Sequence, residues 1–139
     1  MRIDNRQLTV DNSSIFHTFL MTMDNTIEIK SFQFAVRIVK MCKLLREDRK
    51  DYILSKQLLR AGTSIGANVV EAQQAQSRAD FIAKLSIALK EASEVNYWLR
   101  LLKATDYLSE KEYSSIVTDC KELEKLLTAI IKSTKYSDS

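Results

Sequence analysis

Ser64-Ile65-Gly66-Ala67-Asn68-Val69-Val70-Glu71 is the stretch that decides how this chain folds. Wound as a helix of about 3.6 residues per turn, the chain around it places Leu58, Ala61, Ile65, Val69 and Ala72 on one face. Arg60, Ser64, Asn68 and Glu71 share another. Gly62 and Gly66 lie beside the apolar stripe, one turn apart. Glycine inside a helix is disfavoured by roughly 1 kcal/mol relative to alanine, so two on one edge predict close approach by a neighbouring helix. The polar line has two readings. In one it is a seam between helices, with Ser64 and Asn68 bonded to each other or to backbone carbonyls and Glu71 paired with Arg60 or a lysine of the next helix. In the other it lines a ligand pocket. The seam is preferred, because buried polar groups of this kind fix helix register.

The whole composition agrees with helix. The 139 residues suit one domain and contain no proline and 2 glycines, where average usage would give roughly 5% and 7%. A β-rich fold needs such residues in its turns, so the class is all-α. A formal charge of +3 is too small by itself to imply a nucleic-acid partner; its distribution matters more. Cys42 and Cys120 fall on apolar helical positions outside any paired motif, as expected of reduced core residues. No apolar run approaches the roughly 18 residues of a membrane span. The apolar residues between Ile15 and Met21 are interrupted by His17 and Thr18, with no clear cleavage site. The expectation is a soluble, cytoplasmic protein.

In chain order, residues 1–23 mix polar and apolar types without a period and read as an irregular extension, in which Met21 and Met23 are alternative starts. A four-helix bundle follows over 24–135, then a short tail over 136–139. Helix 1, from 24–26 to about 50, carries an inward stripe of Ile27, Phe34, Ile38, Met41 and Leu45. Ile29, Phe32, Val36 and Val39 continue the apolar surface onto its opposite side. That arc exceeds the roughly 100° one core requires, which predicts a second buried side against another chain. From 27 to 50 the bases Lys30, Arg37, Lys40, Lys43, Arg46, Arg49 and Lys50 face only Glu28, Glu47 and Asp48. These bases either complement the negative helix end or form a phosphate-contacting surface.

Helix 2 spans about 55–76. Ser77 and Asp80 resemble a capping box that starts helix 3, which runs to about 105 with Phe81, Leu85, Ala88, Ala92, Val95 and Leu99 inward. A second stripe, Ile87, Glu91, Glu94, Trp98 and Leu101, reads as an oligomer interface or as a Trp over the edge of the monomer core. Ser109-Glu110-Lys111-Glu112 is a capping box in standard form and opens helix 4, which ends near 134. Acids outnumber bases between 106 and 124, so the molecule has a basic first helix and an acidic start to its last. Four amphipathic helices joined by short turns bury themselves as an up-down-up-down bundle.

Chemistry-bearing patterns are scarce. The sole histidine is His17, and no Glu-x-x-His pair of a di-iron bundle occurs. Ser64 and Ser86 have no histidine to activate them, and the glycines lack a P-loop context. No enzyme activity, metal or cofactor is expected.

Lys30-Ser31-Phe32-x-Phe34-Ala35, Gln57-Leu58-x-Arg60-x-x-x-Ser64-Ile65-x-x-Asn68-Val69-x-Glu71-Ala72 and the run from Asp80-Phe81 through Lys84-Leu85, Lys90-Glu91-Ala92, Glu94 and Tyr97-Trp98-Leu99 together resemble a known family. It is the bacterial four-helix-bundle proteins encoded in intervening sequences of large-subunit ribosomal RNA genes. Many relatives have Glu-Gly where this chain has Glu71-Ala72. The resemblance implies a left-handed bundle assembling as a ring, a pentamer, without enzymatic activity. A relative by fold, the accessory protein of diversity-generating retroelements, is a basic pentameric barrel that binds nucleic acid and a reverse transcriptase. A ring repeats a weak basic patch into a larger one. The leading expectation is therefore a non-enzymatic homo-oligomer binding structured RNA, in preference to DNA, through Arg37, Lys40, Lys43, Arg46, Arg49 and Lys50. The alternative is a protein-interaction scaffold using Ile87, Trp98 and Leu101.

Overall fold

The structure, a computed structural model, describes residues 12–136. Four helices account for most of it: α1 (Asn12–Glu47), α2 (Leu54–Gln73), α3 (Arg78–Ala104) and α4 (Glu110–Tyr136). Each packs against its neighbour in sequence and α4 returns to α1, while the diagonal pairs do not meet among the described residues. Short connections between successive helices make this an up-down-up-down four-helix bundle of square section.

The first helix begins at Asn12, well ahead of the predicted start at 24–26. Residues 12–23, expected to be irregular, continue the helical backbone. They lack an apolar period but contain neither proline nor glycine to break the helix. Residues 1–11 of the expected extension and 137–139 of the expected tail lie outside the described residues.

The other boundaries follow local chemistry. Lys50 takes a left-handed φ of 58°, which lets the Asp51 N–H return to the Leu45 carbonyl at 2.9 Å. The buried Asp51 carboxylate then accepts from the N–H groups of Leu54 (3.3 Å) and Ser55 (2.8 Å), capping α2. Ser77 Oγ accepts from the Asp80 N–H at 3.0 Å and caps α3. At the far end of α3, Asp106 at φ 66° allows the Tyr107 N–H to reach the Leu102 carbonyl at 2.9 Å and its own N–H to reach Lys103 at 3.1 Å, a Schellman closure. The reciprocal box opening α4 is complete: Ser109 N–H donates to Glu112 Oε1 (2.8 Å) and Glu112 N–H to Ser109 Oγ (3.1 Å).

The core is one cluster along the bundle axis, built from Ile27, Phe34, Ile38, Leu45, Leu58, Ile65, Leu85, Leu99, Ile116, Leu123 and Leu127 among others. Cys42 and Cys120 are buried free thiols within it. Each donates to a backbone carbonyl at 3.3 Å, of Ser55 and Ala92 respectively. Burial pushes both up to about 12. The close approach expected from the glycines occurs at Gly62, where a Cβ would lie 2.7 Å from Ile38 Cγ2. At Gly66 the nearest atoms, on Ser31, would be at an ordinary 3.5 Å. No helix among the described residues is long and apolar enough to cross a membrane.

Candidate nucleic-acid interface

The bases of α1 and of the connection after it divide into two groups. Lys30, Arg37 and Arg49 turn toward α4, the neighbour that α1 approaches least closely. Long side chains bridge that seam. Lys30 pairs with Glu122. Arg37 donates to Asp119 at 2.5 Å and to Ser115 Oγ at 2.8 Å. Arg49 forms a two-pronged pair with Glu112 (2.9 and 2.7 Å) and also donates to the Tyr107 carbonyl at 2.6 Å. The basic first helix and the acidic start of the last are thus adjacent and neutralise each other. Glu112 is held down at about 2, first by its hydrogen bonds from Arg49 and then by the Ser109 N–H.

Lys40, Lys43, Arg46 and Lys50 form the second group. Lys40, Lys43 and Arg46, spaced by three residues, share one outer face of the helix, and Lys50 follows in the connection to α2. None pairs with a carboxylate among the described residues. Lys43, Arg46 and Lys50 line a pocket of about 370 Å³ with Glu47 and Tyr52. The Arg46 guanidinium stands 6.0 Å from the centre of the Tyr52 ring. The sequence reading named the four cations and missed Tyr52, which lies in the connection to α2, outside any helical period.

On the same outer face, one to five turns earlier, Ile29, Phe32, Val36 and Val39 are exposed, Phe32 by 69% and Ile29 by 58%. With Gly66, Ala67 and Val70 of α2, the first two line an apolar groove of about 680 Å³. Among the described residues, this is the second apolar side expected of helix 1.

The polar line of α2 faces α3. Arg60 donates to Glu94 at 2.5 Å and to Glu91 at 3.3 Å. Ser64 Oγ donates to the Arg60 carbonyl at 2.7 Å and Asn68 Nδ2 to the Ser64 carbonyl at 2.8 Å. Glu71 lies 4.0 Å from Lys84. Arg60 and Glu71 thus reach across to α3, whereas Ser64 and Asn68 bond carbonyls of their own helix. Arg60 holds Glu94 below the usual carboxylate range, whereas partial burial pushes Glu91 up despite the same arginine. The Trp98 indole donates to Glu94 at 3.2 Å and meets Tyr97 edge-on at 5.2 Å. Trp98 is half-buried against the core, with Ile87 41% exposed on the outer side of α3. The five α3 residues read as an interface therefore share a surface on which both glutamates are already held by Arg60.

A family model described as 23S rRNA-intervening sequence protein matches residues 23–129. Among solved structures, the chain is similar to a protein of unknown function from the S23 ribosomal protein family of Bacteroides thetaiotaomicron VPI-5482. That chain is 57% identical, with a TM-score of 0.79 over 79% of this chain and 98% of the other. No curated protein matches significantly.

Proposed function

The chain belongs to the 23S rRNA-intervening sequence protein family, and on that premise we propose that it is a cytoplasmic, non-enzymatic, homo-oligomeric bundle that binds structured RNA through Lys40, Lys43, Arg46 and Lys50. The observation carrying this reading is the division of the α1 bases. Three are neutralised by α4, and the remaining four lie close together with no ion pair to a carboxylate among the described residues. Cations that already have carboxylates gain little from a phosphate, whereas unpaired ones release condensed counterions when they bind it. Arg37 and Arg49 accordingly leave the contact set and become bridges of the fold.

Self-association is supported by the α1 stripe of Ile29, Phe32, Val36 and Val39. Exposed apolar surface of this kind marks an interaction site. Rings require two different complementary patches. The outer faces of α1 and α3, on diagonal helices, are two different patches, as a head-to-tail contact that closes into a pentamer would need. Repeating a four-cation patch around such a ring multiplies its field.

The test is RNA retention by purified protein as salt is raised. Affinity should fall linearly on a log-log plot, and Lys43→Ala or Arg46→Ala should each reduce the slope by about 1. Arg37→Ala should leave it nearly unchanged. Absence of RNA or DNA retention at low salt would overturn the proposal. A second reading, a protein-interaction scaffold, is favoured by Ile87 exposed beside Trp98. It requires Trp98→Ala to abolish partner capture without affecting RNA retention.

A further inference from the structure

We infer that the α1–α2 corner receives an unpaired nucleotide, with its base against Tyr52 and its flanking phosphates on Lys43 and Lys50. This rests on the RNA-binding reading above and specifies which part of an RNA the cations engage. Four observations carry it.

The connection between α1 and α2 exposes two large apolar side chains side by side, Tyr52 by 55% and Ile53 by 77%. A surface that contacts phosphates alone has no use for them. Tyr52 and the cations line one shared pocket; its volume of about 370 Å³ is within the range of pockets that enclose small ligands, ~300–1,000 Å³. Arg46 stands over the Tyr52 ring, so a flat cation and an aromatic face are presented together, the pair on which unstacked bases settle.

Glu47 is the fourth observation, because it lines the same pocket. A carboxylate among phosphate-binding cations repels phosphate. Next to a base it is an acceptor for the exocyclic amino group of cytosine, adenine or guanine. A mixed set of acceptor, aromatic face and cations matches the chemistry of a whole nucleotide better than that of a backbone alone. In a continuous duplex the bases are stacked and cannot reach Tyr52, so the preferred targets are single strands, loops and bulges.

Fluorescence anisotropy at constant low salt tests this, with a labelled single-stranded RNA of about 12 nucleotides, within the span such sites cover, and a blunt duplex RNA of the same length. Tyr52→Leu should weaken single-strand binding by about tenfold and duplex binding by less than about twofold, with the salt slope unchanged. Tyr52→Phe, which keeps the ring, should bind as the unaltered protein does, and unchanged circular dichroism of both variants verifies the fold. If the unaltered protein binds RNA but Tyr52→Leu leaves single-strand affinity intact, or weakens both RNAs equally, the nucleotide site is refuted while the RNA-binding proposal stands. If the unaltered protein binds neither RNA, both fall together.

Discussion

Replacing each glycine of α2 by alanine should move stability in opposite directions. Alanine at either position gains about 1 kcal/mol of helix propensity. At Gly66 the new methyl would meet Ser31 at an ordinary 3.5 Å, so most of that gain survives and the variant should be stabilised by about 0.5–1 kcal/mol. At Gly62 it would lie 2.7 Å from Ile38 Cγ2, 2.8 Å from Cγ1 and 3.1 Å from Cβ. Rotating the Ile38 side chain still leaves at least one γ carbon facing residue 62 and Cβ in place, so α1 itself has to back away from α2. Overpacking of this kind costs about 1–3 kcal/mol and outweighs the propensity gain, for a net loss of about 1–2 kcal/mol. For a chain of this size 1 kcal/mol corresponds to about 2–4 °C, and the two variants should melt on either side of the unaltered protein. Urea unfolding followed by circular dichroism, repeated over a tenfold range of protein concentration to separate association from folding, measures both. Ile38→Ala should relieve the clash, making the two substitutions non-additive by at least about 1 kcal/mol. Equal stabilisation by both alanines would refute the claim that close approach of α1 keeps residue 62 a glycine.

Three further outcomes follow from contacts already described. Glu112 titrates at about 2 when folded and near 4.3 when unfolded. Its stabilising effect is therefore complete above about pH 4.5 and is lost as pH falls toward 2, where the unfolded chain takes up the proton first. Acid denaturation of Glu112→Gln should lose that part of the slope, on the order of 1 kcal/mol for a partly exposed pair. Asp51→Ala removes two cap bonds from a buried carboxylate and should cost about 2 kcal/mol in chemical denaturation; Asp51→Asn should cost less. Cys42 and Cys120, buried and raised to about 12, should resist alkylation at pH 8 in the folded protein and both react in denaturant, as read by mass spectrometry; an adduct on the native protein would refute their inertness.

The helices and core were legible because apolar stripes and caps are local signals. Leu85, Ala88, Ala92, Val95 and Leu99 were placed inward by spacing, and all are buried. Ser109 and Glu112 were paired by their interval and are bonded in that way. The beginning of α1 was not legible, because residues 12–23 carry no period to signal a helix. Nor was the division of the α1 bases, since whether Arg37 meets Asp119 depends on which helix lies beside α1 and on the rotation of both. Glu112 shows the limit clearly: its capping bond was readable from four residues, while its bond to Arg49 crosses the bundle. Tyr52 escaped notice because residues in connections obey no periodicity.

One consequence of the outer face of α1 concerns measurement of distance. Phe32 and Arg46 lie on a single unbroken helix, and at a rise of about 1.5 Å per residue they are about 21 Å apart along its axis. The helix acts as a ruler with an apolar mark near its middle and a cationic mark near its C-terminal end. If copies join at the apolar mark, every cation cluster is held at the same height above that contact. Under the proposed assembly, the spacing of charges offered to an RNA would be fixed by backbone geometry, and one helix would both join the copies and calibrate what they can grip.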